Sequence, residues 1–159
     1  MEADYDVAIL GAGAGGLSAG LYTTRAMLKT IILEQLGPGG QLLITDEIEN
    51  YPGFPDGIKG QELSIRMEQQ TTKFGAEIEY TEVIGIDGIE LPIKTIHTDD
   101  RDFTAKAIII ATGGAHNKLG VSGEDALAGR GVSYCAVCDG NFFRGQDVVV
   151  VGGGDAALD

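Results

Sequence analysis

The chain contains two cysteines, Cys135 and Cys138, three residues apart in the stretch YCAVCDG, with an acid, Asp139, directly behind the second. Two thiols at that spacing suit a redox pair, half of a metal site, or plain packing. A structural zinc site needs four ligands, which His97 and His116 would complete in number only, since neither follows the cysteines and the two lie far apart. No metal site is therefore expected. Inert buried thiols would have no use for Asp139, whereas an acid beside the pair can take or give the proton that thiol–disulfide exchange must move. A CxxC pair that opens a helix also has one thiol with its pKa lowered toward ~7, which suits an attacking thiolate. The favoured reading is a redox dithiol. Both histidines read as ordinary surface or half-buried residues.

Two glycine-rich stretches could hold phosphates. Gly11, Gly13 and Gly16 in GAGAGG fit GxGxxG. There the first glycine makes a tight turn, the second lets backbone approach a pyrophosphate, and the third lets helix and strand pack closely. Unpaired N–H groups at the helix start then face the phosphates. The pattern is weak alone, but here Glu34 follows at the end of the next β-prone run, where an acid can accept hydrogen bonds from a ribose diol. Gly152, Gly154 and Ala157 fit GxGxxA after the apolar run DVVVV. Two such sites in one chain imply electron transfer between two nucleotides, most simply a flavin and a nicotinamide. The residue that selects NADH or NADPH would fall about 20 residues further on, beyond residue 159.

The elements that must position these residues follow from periodicity. YDVAIL at 5–10 reads as a strand, and Leu17, Leu21, Thr24 and Leu28 mark one face of a helix after the glycine turn. IILE is the next strand. Strand, glycine turn, helix and strand make a βαβ unit, which implies a parallel sheet. A second helix is expected over 61–74, with Leu63, Met67, Gln70 and Phe74 on one face and Gly75 as its stop. From Ala76 to Thr98 the period falls to two, which predicts antiparallel strands, and FTAKAIIIA at 103–111 predicts a strand returning to the buried sheet. DVVVVGGGDAALD predicts a second strand, glycine turn and helix. That unit needs more residues than the chain prints, so the sequence reads as part of a longer protein.

Composition excludes some functions. The 25 glycines, about a sixth of the chain and roughly twice the usual share, cluster in turns without a collagen-like period. A formal charge of −13, with lysines and arginines scattered singly, predicts no nucleic-acid partner and no anionic membrane surface. The acidic N-terminus MEADYD has no apolar signal core, and runs such as AIIIA are too short to span a bilayer. A cytoplasmic protein is expected, a compartment that also disfavours a disulfide kept only for stability.

GAGAGGLSAG, GGQL, IENYPGF, ATGG and GRGVSYCAVCDG followed by VVVVGGGDAA occur in this order. Over essentially the whole chain this resembles the low-molecular-weight thioredoxin reductases of bacteria and archaea. The resemblance implies an α/β fold: a Rossmann-like FAD-binding domain in three layers, with a parallel sheet plus an antiparallel β-meander, interrupted by a second Rossmann-like NAD(P)H domain. Residues 1–114 would be the first segment of the FAD domain, and 115–159 the start of the NAD(P)H domain carrying the CxxC. It further implies that Gly11, Gly13 and Gly16 line the FAD pyrophosphate and Glu34 its ribose, with Ala14, Gly15 and Gln35 among the other cofactor contacts. Gln41 and Asn50 would reach the isoalloxazine side and Thr112 and Gly113 would lie where a strand meets the flavin, with Gly40, Leu42 and Ala111 among the other cofactor contacts. Cys135 and Cys138 would be the redox pair and Asp139 its acid/base, while Gly152, Gly154, Asp155 and Ala156 would hold the nicotinamide nucleotide. The implied activity passes electrons from NAD(P)H through FAD and the disulfide to a thioredoxin-like protein, in a homodimer. One departure is AHNKLGV after ATGG, without the arginine often found there. Related dithiol flavoproteins fed by ferredoxin or oxygen form the nearest alternative, and a redox-sensing nucleotide-binding module the next.

Overall fold

The computed structural model describes residues 2–154, 157 and 158. The chain divides into two compact units, Met1–Ile44 with Gly60–Gly113, and Thr45–Lys59 with Gly114–Asp159.

The first unit is built on one six-stranded sheet. Strand β1 (Tyr5–Leu10) leads through the glycine turn into helix α1 (Ala14–Arg25) and on to β2 (Thr30–Glu34). β1 pairs in parallel with β2 on one side and with the late strand β8 (Asp102–Ile110) on the other. Sandwiched between two strands, β1 buries Val7, Ala8, Ile9 and Leu10 in succession, the continuous apolar run expected of a central parallel strand. Helix α2 (Gly60–Lys73) then feeds β5 (Glu77–Tyr80), which lies parallel to β2. The alternating stretch after Ala76 is therefore not antiparallel throughout, as its period suggested. A helix directly before a strand supplies the crossover that a parallel pair requires, and period two is blind to strand direction. The remaining strands, β6 (Val83–Asp87) and β7 (Lys94–Thr98), are antiparallel, and Ile89–Ile93 is a turn, so β7 starts later than the pattern IELPIKTI implied. The order is β5-β2-β1-β8-β7-β6, with β8 shared between the parallel part and the meander.

Two cores cover the two faces. On one, α1 packs on β2 and α2 packs on α1, and a methyl group at Gly20 would stand 2.7 Å from Ile32 Cδ1 and 3.0 Å from Thr71 Cγ2. The buried Thr71 hydroxyl donates to the Leu17 carbonyl oxygen at 2.9 Å, joining the two helices. On the other face, Ala8, Leu10, Ile31 and Leu33 pack with Ile96, Phe103 and Ala105 from the meander. Helices, sheet and meander are the three layers that the Rossmann-like reading expects.

Both helices depart from their expected stripes. α1 ends at Arg25, so Leu28 lies outside it and is exposed, and the buried face is Gly16, Leu17 and Gly20. In α2 the buried positions are Gly60, Leu63, Ser64, Met67 and Thr71, while Gln70 is exposed, as is Phe74 just past its end, beneath the Arg25 guanidinium. Close helix–helix approach favours small and polar-but-bonded residues, which an apolar stripe does not register. Gly75 does stop α2, with φ +96° and its N–H donating to the Thr72 carbonyl.

The second unit has little regular structure. β3 (Glu47–Ile48) and β4 (Ile58–Lys59) form a short antiparallel pair. Helices α3 (Glu124–Leu127) and α4 (Ala136–Asp139) are single turns, and a 3-10 turn follows at Gly140–Phe143. The strand expected over DVVVV is absent among the described residues, where Val148–Val151 are all exposed. A strand persists only with a neighbour to bond, and none lies alongside this one.

Candidate functional site

In the first unit the carboxyl ends of β1, β2 and β8 meet at the glycine turn. Gly11 has φ +100°, and a Cβ there would fall 2.5 Å from the Ala111 carbonyl oxygen, so only glycine lets β8's end close over the turn. A Cβ on Gly16 would drive into the Gly11 carbonyl. Gly13 differs, since nothing stands within 4 Å of its missing Cβ, and Gly15 is likewise open. Gly13 caps α1 without a side-chain hydrogen bond, and no acid occupies the first turn, where Ala14 lies. No side chain of the helix's own first turn therefore offsets its positive end.

Glu34 closes this corner. Its Oε2 accepts the Ala12 N–H at 2.6 Å, and its Oε1 accepts the Leu36 N–H at 3.0 Å and the Gly37 N–H at 3.4 Å. The next loop is tied in as well. Gly39 N–H donates to the Ala12 carbonyl at 2.8 Å, and the buried Ser64 hydroxyl donates to the Pro38 carbonyl at 2.9 Å. Gly40, Gln41 and Leu42 fall in the 3-10 turn Gly40–Ile44, with Gly40 backed against Gly13. Gln35, Thr112 and Gly113 are exposed at this end of the sheet, and Ala111 N–H still bonds the Leu10 carbonyl at 2.8 Å. Thus Gly11–Gly16, Glu34, Gly40–Leu42 and Ala111 share one sheet edge. Asn50 belongs to the second unit and is exposed.

In the second unit Cys135 and Cys138 are joined as a disulfide. Cys135 is the N-cap of α4, and its Sγ accepts the Cys138 N–H at 3.2 Å. Asp139 is half-buried in the last position of α4, its N–H bonded to the Cys135 carbonyl at 3.0 Å. The Ser133 hydroxyl lies 2.6 Å from Asp139 Oδ2. The residue before the disulfide is anchored separately. Tyr134 donates to buried Glu124 at 2.7 Å, which also accepts the N–H groups of Leu119 (2.9 Å) and Gly120 (2.7 Å). The Tyr134 hydrogen bond holds the Glu124 carboxyl below its ordinary range, and the same bond pushes the Tyr134 phenol up to about 12. His116 stacks on the Tyr134 ring. The two histidines lie in different surroundings. His97 lies in β7, bonded to Asp102 at 2.9 Å and Asp87 at 3.1 Å. No three-residue metal-ligand group exists among the described residues.

Gly152 and Gly154 are exposed, Gly152 with φ +135° and Ala157 N–H bonded to the Gly154 carbonyl at 2.9 Å. Asp155 and Ala156 lie outside the described residues. Sequence reasoning missed Ser64, Ser133, Glu124 and Tyr134, none of which carries a local motif. Only Ser133 and Tyr134, as neighbours of the CxxC, offered a positional hint.

A glycine turn at the carboxyl edge of a parallel sheet, with an acid closing the next strand, is the construction of dinucleotide-binding α/β proteins. The chain belongs to the pyridine nucleotide-disulphide oxidoreductase family, whose model matches residues 5–159. A thioredoxin reductase of Treponema pallidum (strain Nichols) is 52% identical over 159 residues, covering 100% of this chain and 52% of its own length. One from Listeria innocua is 53% identical, covering 99% of this chain and 49% of its own. The crystal structure of thioredoxin reductase from Streptococcus pyogenes MGAS5005 superposes with a TM-score of 0.90 at 49% identity, over 97% of this chain and 50% of that one. The chain spans about half the length of the curated relatives it matches.

Proposed function

We propose that the protein to which this chain belongs is an FAD-dependent thioredoxin-disulfide reductase, fed by NAD(P)H and acting on thioredoxin or a similar small protein. The observation that carries this reading is the Cys135–Cys138 disulfide at a helix start with Asp139 bonded beside it. The names of the relatives support the same activity.

The residues of the first unit fit a bound FAD. The open side of Gly13 gives backbone access for a pyrophosphate, and the uncapped start of α1 supplies the positive end that phosphate favours. Glu34 spends three of its carboxylate's roughly four lone-pair positions on backbone amides, which leaves capacity for a ribose hydroxyl. Ala14, Gly15, Gln35, Gly40, Gln41, Leu42, Ala111, Thr112 and Gly113 complete the FAD contacts proposed for this unit. Gly152, Gly154, Asp155 and Ala156 are assigned to the nicotinamide nucleotide. When bound, FAD supplies two-electron transfer between the nicotinamide and the disulfide.

The chain's own part is thiol chemistry. In the dithiol form, one cysteine attacks a partner sulfur as thiolate, the partner S–S bond breaks, and its leaving sulfur takes a proton. The second cysteine gives up its proton, attacks the mixed disulfide, and re-forms Cys135–Cys138 while the other partner sulfur leaves. Two electrons and two protons pass from enzyme to partner. We assign Asp139 the role of carrying a proton between the sulfur that loses it and the sulfur that gains it. The Cys138 N–H directed at Cys135 Sγ would stabilise negative charge on that sulfur.

Residues 1–114 are read as the first FAD-domain segment and 115–159 as the start of the nucleotide domain. The first compact unit closes at Gly113, though Thr45–Lys59 groups with the later residues. The absence of a nucleic-acid or anionic-membrane partner is argued from the charge of −13, while a cytoplasmic homodimer rests on the resemblance alone. The test is steady-state reduction of a thioredoxin disulfide by the full-length protein. Cys135→Ser and Cys138→Ser should each reduce turnover to background while flavin stays bound. Turnover that survives either substitution would remove the dithiol from the mechanism.

A further inference from the structure

We propose that Ser133 is a positioning residue for the acid/base Asp139, a role that rests on reading Cys135–Cys138 as the redox pair. The Ser133 oxygen has three polar neighbours: Asp139 Oδ2 at 2.6 Å, the Cys135 N–H at 3.1 Å, and the Cys135 carbonyl oxygen at 3.2 Å. It has one proton to give, and two acceptors compete for it. A hydroxyl bonded to a carboxylate at 2.5–2.7 Å is charge-assisted and about twice as strong as a neutral bond, so the proton goes to Asp139. The same oxygen accepts the Cys135 N–H, and each bond polarises the other. A short chain of hydrogen bonds therefore runs from the Cys135 amide through Ser133 to the carboxylate.

The backbone repeats the connection, since Asp139 N–H donates to the Cys135 carbonyl at 3.0 Å. Asp139 is thus held to both ends of Cys135, once by main chain and once by side chain. With Oδ2 engaged by Ser133, Oδ1 accepts no hydrogen bond among the described residues. That oxygen is the one presented for proton transfer. Ser133 is itself exposed and fills no core space, so packing does not account for its position. The bland alternative is a local serine–aspartate bond that steadies one turn of backbone, and it would affect stability only.

The experiment uses the full-length, flavin-loaded protein with an oxidised thioredoxin as substrate. Ser133→Ala should lower kcat by about 10-fold with KM unchanged, because a misplaced acid/base slows proton transfer without touching partner contacts. The solvent deuterium isotope effect on kcat should rise, and Ser133→Thr, which keeps the hydroxyl, should restore most of the rate. In an Asp139→Asn background Ser133→Ala should change kcat by less than about 2-fold, since the two side chains then act through one function. A Ser133→Ala enzyme with wild-type kcat, or one whose loss persists undiminished beside Asp139→Asn, overturns the proposal. So does a Thr variant as slow as Ala. Cys135→Ser is the control for the reading beneath it. If that variant still turns over, the dithiol reading falls; if it is dead while Ser133→Ala is indifferent, only the positioning role falls.

Discussion

Gly13 and Gly16 lie three residues apart in one turn, yet a methyl group would meet different surroundings at each. At Gly16 it would strike the Gly11 carbonyl, a backbone atom with nowhere to go. At Gly13 it would meet open space, on an extended backbone with φ −69° that alanine adopts freely. Gly16→Ala should therefore destabilise the full-length apoprotein by about 2 kcal/mol or more in urea unfolding. Gly13→Ala should cost no more than about 1 kcal/mol, the range of helix-cap changes. It should nonetheless weaken FAD binding by about 10-fold or more, read by quenching of flavin fluorescence, because its methyl group occupies the space through which backbone meets phosphate. Equal flavin affinity for Gly13→Ala and wild type would mean that the open side of Gly13 faces no ligand.

At the level of elements, His97 joins three strands at once. It sits in β7 and bonds Asp102 at the start of β8 and Asp87 at the end of β6. The Asp102 bond first, then the Asp87 bond, raises its pKa above the ordinary 6.5. A raised folded pKa stabilises the charged form, so the contribution is complete below about pH 6.5 and disappears as pH rises through the folded value. The full-length protein should accordingly lose a small part of its stability as pH rises above about 6.5. His97→Gln should flatten that part of the profile, and an unchanged slope in the variant would assign the pH dependence to other groups.

The same strands show what periodicity conveys. β1, α1 and β2 were legible because their order, glycine turn and apolar runs are all local. The direction of β5 was not, because parallel and antiparallel strands alternate alike and only the preceding α2 tells them apart. The buried faces of α1 and α2 escaped the apolar stripe for a related reason. Gly20 and Thr71 are buried where two helices come together, one for lack of a side chain and one through a hydrogen bond to Leu17. The strand expected at Val148–Val151 had the right composition and no neighbour to pair with.

Across the whole molecule, motifs located both candidate sites, while the contacts that hold them are non-local. Nothing in the sequence around Gly11 points to Ala111, a hundred residues away, although the Ala111 carbonyl is what excludes a side chain there. Nothing around the CxxC points to Glu124, which anchors Tyr134 beside it. Such partners depend on how the chain returns, which residue spacing does not encode. The dithiol and the glycine turn each have a stated chemistry, and the proposed function joins them as electron flow from nicotinamide to disulfide. That flow is tested most directly by titrating the full-length protein anaerobically with NADPH, and separately with NADH, while recording the visible flavin spectrum. The account predicts that one of the two bleaches a bound flavin and that adding oxidised thioredoxin restores its colour. A flavin that neither nucleotide bleaches, a bleached flavin that the disulfide does not reoxidise, or a protein that takes up no FAD would contradict it.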